Sequence, residues 1–157
     1  MQISFKGRKV VVAGGSRGIG RSIALAFAAE GADLAICARS AQGLAAAEVD
    51  LKRHGGMVFS MPCDLGEASA PASFVTRAAG ALDGIDILIN NASGIGVRDD
   101  ESGWSASINV DLMATVRATQ AAIPFIEKAG GGVIINISSV SGFKALPTSF
   151  FASPTSS

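Results

Sequence analysis

The 157-residue sequence has no tyrosine, one tryptophan, one histidine and two cysteines, and its 13 Lys+Arg are matched by 13 Asp+Glu. A net charge of zero supplies no basic stripe for nucleic acid or an anionic membrane, so neither is expected as a partner. Cys37 and Cys63 each lie in or beside a short apolar run. They read as small buried thiols of a reducing compartment, so no disulfide framework or metal site is expected. His54 precedes Gly55 at a helix end and reads as an exposed last-turn residue rather than a base or ligand. Long apolar runs are missing too. The stretch after Lys6, Arg8 and Lys9 is only Val10 to Ala13, too short for a signal peptide, and Glu30 and Asp33 separate the next two runs. A cytoplasmic location is expected.

What is present suffices for a core. The sequence is 48% hydrophobic with 17% charged residues, which excludes a disordered chain and fits one domain, residues 1–152, followed by a Ser/Pro/Thr tail, residues 153–157. Strands are expected at Val10 to Ala13, Leu34 to Cys37, Val58 to Ser60, Ile87 to Ile89 and Val133 to Ile137. These runs are short and mostly unalternated, as in parallel strands covered on both faces. Between them, Ile19, Ile23 and Phe27, then Leu44, Ala47 and Leu51, then Phe74 and Ala78 recur at helical spacing. A longer helix over Ser102 to Lys128 would present Ile108, Leu112, Val116 and Ala118 to Ile123 as a broad apolar face. Glycines at 31, 55 and 130 suit helix C-caps. Five strand-helix alternations imply an α/β fold with a doubly wound parallel sheet, a Rossmann fold.

The first strand runs into Ala13-Gly14-Gly15-Ser16-Arg17-Gly18-Ile19-Gly20, and a helix follows at once. Such a turn places unpaired N–H groups and the positive end of a helix dipole beside one pocket, which suits a pyrophosphate. Gly15 to Ser22 also reads as a near phosphate loop. Against that alternative, Arg21 stands where its Lys belongs, and no apolar strand ends in an Asp suited to Mg²⁺.

The spacing Gly14-x-x-x-Gly18-x-Gly20 resembles the glycine turn of the short-chain dehydrogenase/reductase family, with Ala13 where Thr is usual. Further family motifs follow in order. Asp64, in Pro62-Cys63-Asp64-Leu65, resembles the adenine-contacting residue, and Asn90-Asn91-Ala92-Ser93 resembles the family's NNAG. Asn109, in Ile108-Asn109-Val110, resembles the active-site Asn, and Ser139, in Asn136-Ile137-Ser138-Ser139, the catalytic Ser. The likeness is greatest to members that reduce 3-oxoacyl thioesters or related ketones, and it runs from about Lys6 to Phe151. It implies a cofactor site formed by Gly14, Ser16, Arg17, Gly18, Ile19, Gly20, Arg39, Asp64, Leu65, Asn91, Ala92 and Ser93. It also implies hydride transfer between a nicotinamide and a small-molecule ketone or secondary alcohol, and a homo-oligomer.

After the second strand, where an acid would bind the adenosine ribose hydroxyls, the sequence reads Ile36-Cys37-Ala38-Arg39-Ser40. Arg39, with Arg17 as a second guanidinium, points to the 2′-phosphate of NADP (NADPH). The family's Tyr, however, is expected near Phe151 or Ala152 and its Lys near Thr155 or Ser156, and neither type is there; Lys144 comes too early. The expectation is a sheet incomplete on its C-terminal side and an inactive chain. It would be the N-terminal part of a longer enzyme, a product with an altered tail, or a non-catalytic NADP(H)-binding module.

Overall fold

The computed structural model describes residues 4–94 and 100–139. Lys144, Phe151, Ala152, Thr155, Ser156 and the tail at 153–157 lie outside the described residues. The chain alternates β1 (Lys9–Ala13), α1 (Gly18–Ala29), β2 (Asp33–Ala38), α2 (Ala41–Lys52), β3 (Val58–Pro62), α3 (Ala70–Leu82), β4 (Ile87–Asn90), α4 (Glu101–Ser107), a π-helical segment (Ile108–Ala114), α5 (Thr115–Lys128) and β5 (Val133–Asn136). The strands form one sheet in the order β3-β2-β1-β4-β5, parallel at every pairing.

Two apolar layers sandwich this sheet. Val10, Val12, Leu34, Ile36 and Ile89 pack with Ala24 and Ala28 of α1 and Leu44, Ala47 and Leu51 of α2. On the other face, Val11, Ala35, Cys37 and Leu88 pack with Phe74, Val75 and Ala78 of α3 and Ala118 and Ala122 of α5. Parallel strands need a covering on both faces because their crossovers lay helices there, which is why the runs do not alternate with polar residues.

Two helical faces differ from the periodicity reading. In α1 the fully buried stripe is Gly20, Ala24 and Ala28; Ile23 and Phe27 flank it, and Ile19 is 63% exposed. The helix lies close to the sheet, so small residues take the contact line and larger ones pack beside it. The expected Ser102 to Lys128 helix is a continuous helical rod, but seven of its residues are π-helical. Its buried line is Ala114, Ala118 and Ala122, whereas Ile108, Leu112, Val116 and Ile123 face outward. β5 lies at one edge of the described sheet, with Val133, Ile135 and Ile137 exposed.

Candidate functional site

Strand order reverses at β1: β2 and β3 lie to one side, β4 and β5 to the other. Open α/β sheets form a crevice at that point, beyond the carboxyl ends of the strands. Here a cleft of about 1280 Å³ occupies it, lined by residues that follow β1, β2, β3 and β4 and by α4 and the π segment.

The glycine turn is fixed from both sides. The Cys37 carbonyl at the end of β2 accepts the N–H groups of Gly14 (3.1 Å) and Gly15 (3.0 Å). From the residue after β4, Asn91 Nδ2 donates to the Gly14 carbonyl at 2.9 Å. Gly14 has φ +92°, and a Cβ there would sit 2.9 Å from the Ala92 nitrogen, so backbone conformation and space both demand glycine. Gly20 does not line the cleft. A Cβ on it would collide with the Gly14 carbonyl oxygen and lie 2.5 Å from Asn91 Nδ2, so its place is under the turn.

The N-terminus of α1 is open. Its N-cap, Arg17, makes no side-chain cap, its first turn holds no acid, and the first internal N–H to bond is that of Arg21. Two other helix starts are capped: Ser40 accepts from Gly43 N at 3.1 Å on α2, and Asp100 accepts from Gly103 N at 2.9 Å on α4. α3, like α1, has no side-chain cap, but its start is not among the cleft-lining residues. The early amides and positive dipole end of α1 therefore remain for something in the cleft.

Of the residues predicted from sequence, Gly14, Ser16, Arg17, Gly18, Ile19, Arg39, Asp64, Leu65, Asn91, Ala92, Ser93 and Asn109 all line this one cleft. Arg17 and Arg39 are exposed and have no ion-pair partner among the described residues. Ile19 leaves the core-facing stripe because it faces the cleft. One Asp64 oxygen accepts from Gly66 N at 3.0 Å, which closes the turn after β3. Asn109 sits within the π segment and donates from Nδ2 to Ser105 Oγ at 3.1 Å. Ser139 is exposed beyond the end of β5 and is not among the cleft-lining residues.

Features without a sequence signal include the π segment itself and Asp111, whose Oδ1 accepts from Gly94 N at 2.8 Å and ties the segment to the loop after β4. The buried Asn90 donates to Asn136 Oδ1 (2.9 Å) and Thr119 Oγ1 (3.2 Å), joining β4, β5 and α5. Asn90 and Asn136 stand in the motifs quoted above, whereas Asp111 and Thr119 carry no signal because short polar side chains are common in helices. The phosphate-loop alternative loses its key groups. Arg21 is ion-paired with Asp50 of α2, and Ser22 Oγ donates to Gly18 O at 3.1 Å.

The fold and cleft define an α/β dinucleotide-binding unit. The chain belongs to the short-chain dehydrogenase family: the family's sequence model, described as short chain dehydrogenase, matches residues 8–151. It is 34% identical over 148 residues to the ketoacyl reductase HetN of Nostoc sp. (strain PCC 7120), an alignment covering 91% of this chain and 51% of that protein. Among solved structures it is similar to a putative short-chain alcohol dehydrogenase from Sinorhizobium meliloti 1021, with TM-score 0.87 and 37% identity over 92% of this chain and 59% of that one. A metagenomic short-chain oxidoreductase solved with NADP has TM-score 0.83 and 36% identity, covering 92% and 67% of the two chains. A 7α-hydroxysteroid dehydrogenase solved with NADH has TM-score 0.85 and 26% identity, covering 91% and 57%. The chain spans about half the length of the curated relatives it matches.

Proposed function

We propose that the cleft binds NADP(H), and that the chain supplies the cofactor-binding part of an oxidoreductase moving hydride between NADP(H) and a ketone or secondary alcohol, of which a 3-oxoacyl thioester is one candidate. The observation that carries this reading is the open, acid-free N-terminus of α1, which faces the cleft beside two guanidiniums that have no ion-pair partner among the described residues. A diphosphate on the amides of Gly18 and Ile19 would satisfy groups that no side chain caps. Arg39 follows β2, where a carboxylate would favour NAD, and its planar fork suits a 2′-phosphate. The relatives solved with NADP and with NADH show that the family accommodates both, so the preference for NADP rests on Arg39 and Arg17.

By the family resemblance, Asn109 holds a water-linked proton path from the π segment and Ser139 hydrogen-bonds the reacting oxygen. With no tyrosine in the sequence, the phenol that would exchange the proton is missing, since a phenylalanine ring has none to give. For this chain we therefore infer cofactor binding without turnover. Self-association belongs to the same reading, supported by the outward-facing Ile108, Leu112 and Val116.

Titration of NADPH and NADH by fluorescence tests the cofactor. Wild type is expected to prefer NADPH. Arg39→Asp is expected to weaken NADPH by at least about tenfold, ~1.4 kcal/mol, and to spare NADH. Equal losses for both would contradict the assignment.

A further inference from the structure

Cys37 and Cys63 are not used by the cofactor reading, yet they lie together beneath the cleft. Cys37 is on β2 opposite Met61 of β3, and Cys63 follows two residues on, so both side chains fall on the same face of the sheet and in the same apolar layer. The Cys63 thiol donates to the Ala70 carbonyl at 3.6 Å, and the two thiols lie near enough to shift one another's titration. Their surroundings differ. Cys37 has no exposed surface, whereas Cys63 is 7% exposed and lines the cleft.

Each is also joined to a piece of the site. The Cys37 carbonyl holds the amides of Gly14 and Gly15. Cys63 keeps one ladder bond, its N–H donating to Ala38 O at 2.9 Å, but β3 ends at Pro62, and Asp64 begins the next turn. Cys63 thus lies just past the end of β3, whereas Cys37 lies within β2 with a strand paired on either side.

We propose that Cys37 and Cys63 form an oxidation-sensitive dithiol that a peroxide converts to a disulfide, displacing the Asp64 turn and weakening dinucleotide binding. Cys63 is the attacking sulfur, because it alone of the two reaches the cleft. The neighbouring Cys37 thiol holds the Cys63 thiol below the usual range, against the opposing effects of burial and Asp64. Burial pushes the Cys37 thiol well up, with the Cys63 contact adding to it. A thiolate is the nucleophile in such chemistry. The Cys63 thiolate attacks one peroxide oxygen, the O–O bond breaks, and the departing hydroxide takes up the thiol proton as water, leaving a sulfenic acid. The Cys37 sulfur then attacks the Cys63 sulfur, the S–O bond breaks, and a second water leaves with the Cys37 proton. Two thiols lose two electrons in all, and one peroxide is reduced to two waters.

The effect on binding rests on the NADP(H) reading; the bond itself does not. The experiment treats the 157-residue chain with hydrogen peroxide, maps the product by peptide mass, and titrates NADPH before oxidation, after it, and after dithiothreitol. The expected product is an intramolecular Cys37–Cys63 link, two hydrogen atoms lighter than the reduced chain. NADPH affinity is expected to fall about tenfold on oxidation and to return on reduction. Cys37→Ala and, should that variant unfold, Cys37→Val are expected to stop at a sulfenic acid on Cys63. Peroxide leaving both thiols reduced, or oxidising Cys63 without linking it to Cys37, would overturn the dithiol. A link that leaves NADPH affinity unchanged would overturn the switch. A reduced chain that binds no NADPH would overturn the cofactor reading and with it the switch, while the mass map would still decide the dithiol.

Discussion

β1 and β5 are both short parallel strands of aliphatic residues, yet Val10, Val11 and Val12 have no exposed surface whereas Val133 and Ile135 are 51% and 38% exposed. The helices repeat the contrast. Phe74 and Val75 of α3 are fully buried between sheet and neighbours, while Ile108, Leu112 and Val116 form an outward line beside the buried Ala114 and Ala118. An apolar run thus specifies a strand or a helix, but position in the sheet decides whether it becomes core or surface. β1 is flanked by β2 and β4 and covered by helices on both faces; β5 pairs only with β4 among the described residues.

The largest expected effect probes this contrast directly. Phe74→Ala should cost ~3–5 kcal/mol in urea unfolding, because it leaves a cavity in the layer between α3 and the sheet. Ile135→Ala, on the exposed strand, should cost less than ~0.5 kcal/mol. Comparable costs would show that β5 is covered in solution. A smaller effect tests what could cover the outward helix line. Leu112→Lys should leave the unfolding midpoint of the isolated chain in place but weaken self-association, seen by light scattering, by at least about tenfold, ~1.4 kcal/mol. A monodisperse monomer at high concentration, before any substitution, would remove the self-association argument.

The smallest expected effect lies on the well-packed side. Glu48 of α2 is paired with Lys52 and accepts from Ser60 Oγ of β3, and these contacts, Lys52 first, hold its carboxyl below the ordinary range. A carboxylate with a lowered folded pKa adds stability that is present above its unfolded pKa, ~4.3, and lost as pH falls through the folded value. Glu48→Gln should therefore cost under ~1 kcal/mol at pH 7, as expected for a partly exposed pair, and the difference should close in acid below about pH 4. A difference that persists there would mean that packing rather than charge is responsible.

The same contrast marks what the sequence reveals. β1, β2 and β4 and the Leu44, Ala47, Leu51 and Phe74, Ala78 faces were legible because burial leaves an unbroken or evenly spaced apolar signature; β3 and β5 were legible from their apolar runs although neither is fully buried. The glycine turn was legible because its geometry excludes any side chain at Gly14 and Gly20. The outward turn of Ile108, Leu112 and Val116 was not, since periodicity gives an apolar face without saying what it meets. Nor was the π segment around Asn109: one extra residue per turn shifts the face without altering composition. Small residues on the contact lines of α1 and α5 misled the periodicity further, because the larger neighbours carry more of the apolar signal than the alanines that touch the sheet.

On the proposed function, the turn from Gly14 to Gly20, with Arg39 beside it, holds a phosphorylated dinucleotide. Amide chemical-shift mapping of the labelled chain during NADPH addition tests it most directly. Saturable shifts are expected at Gly14 to Ile19, at Arg39 and Ser40, at Asp64 and Leu65, and at Asn91 to Ser93, with the shifts at Arg39 and Ser40 much reduced when NADH replaces NADPH. Shifts absent from the glycine turn, or confined to the outward face of α5, would contradict it.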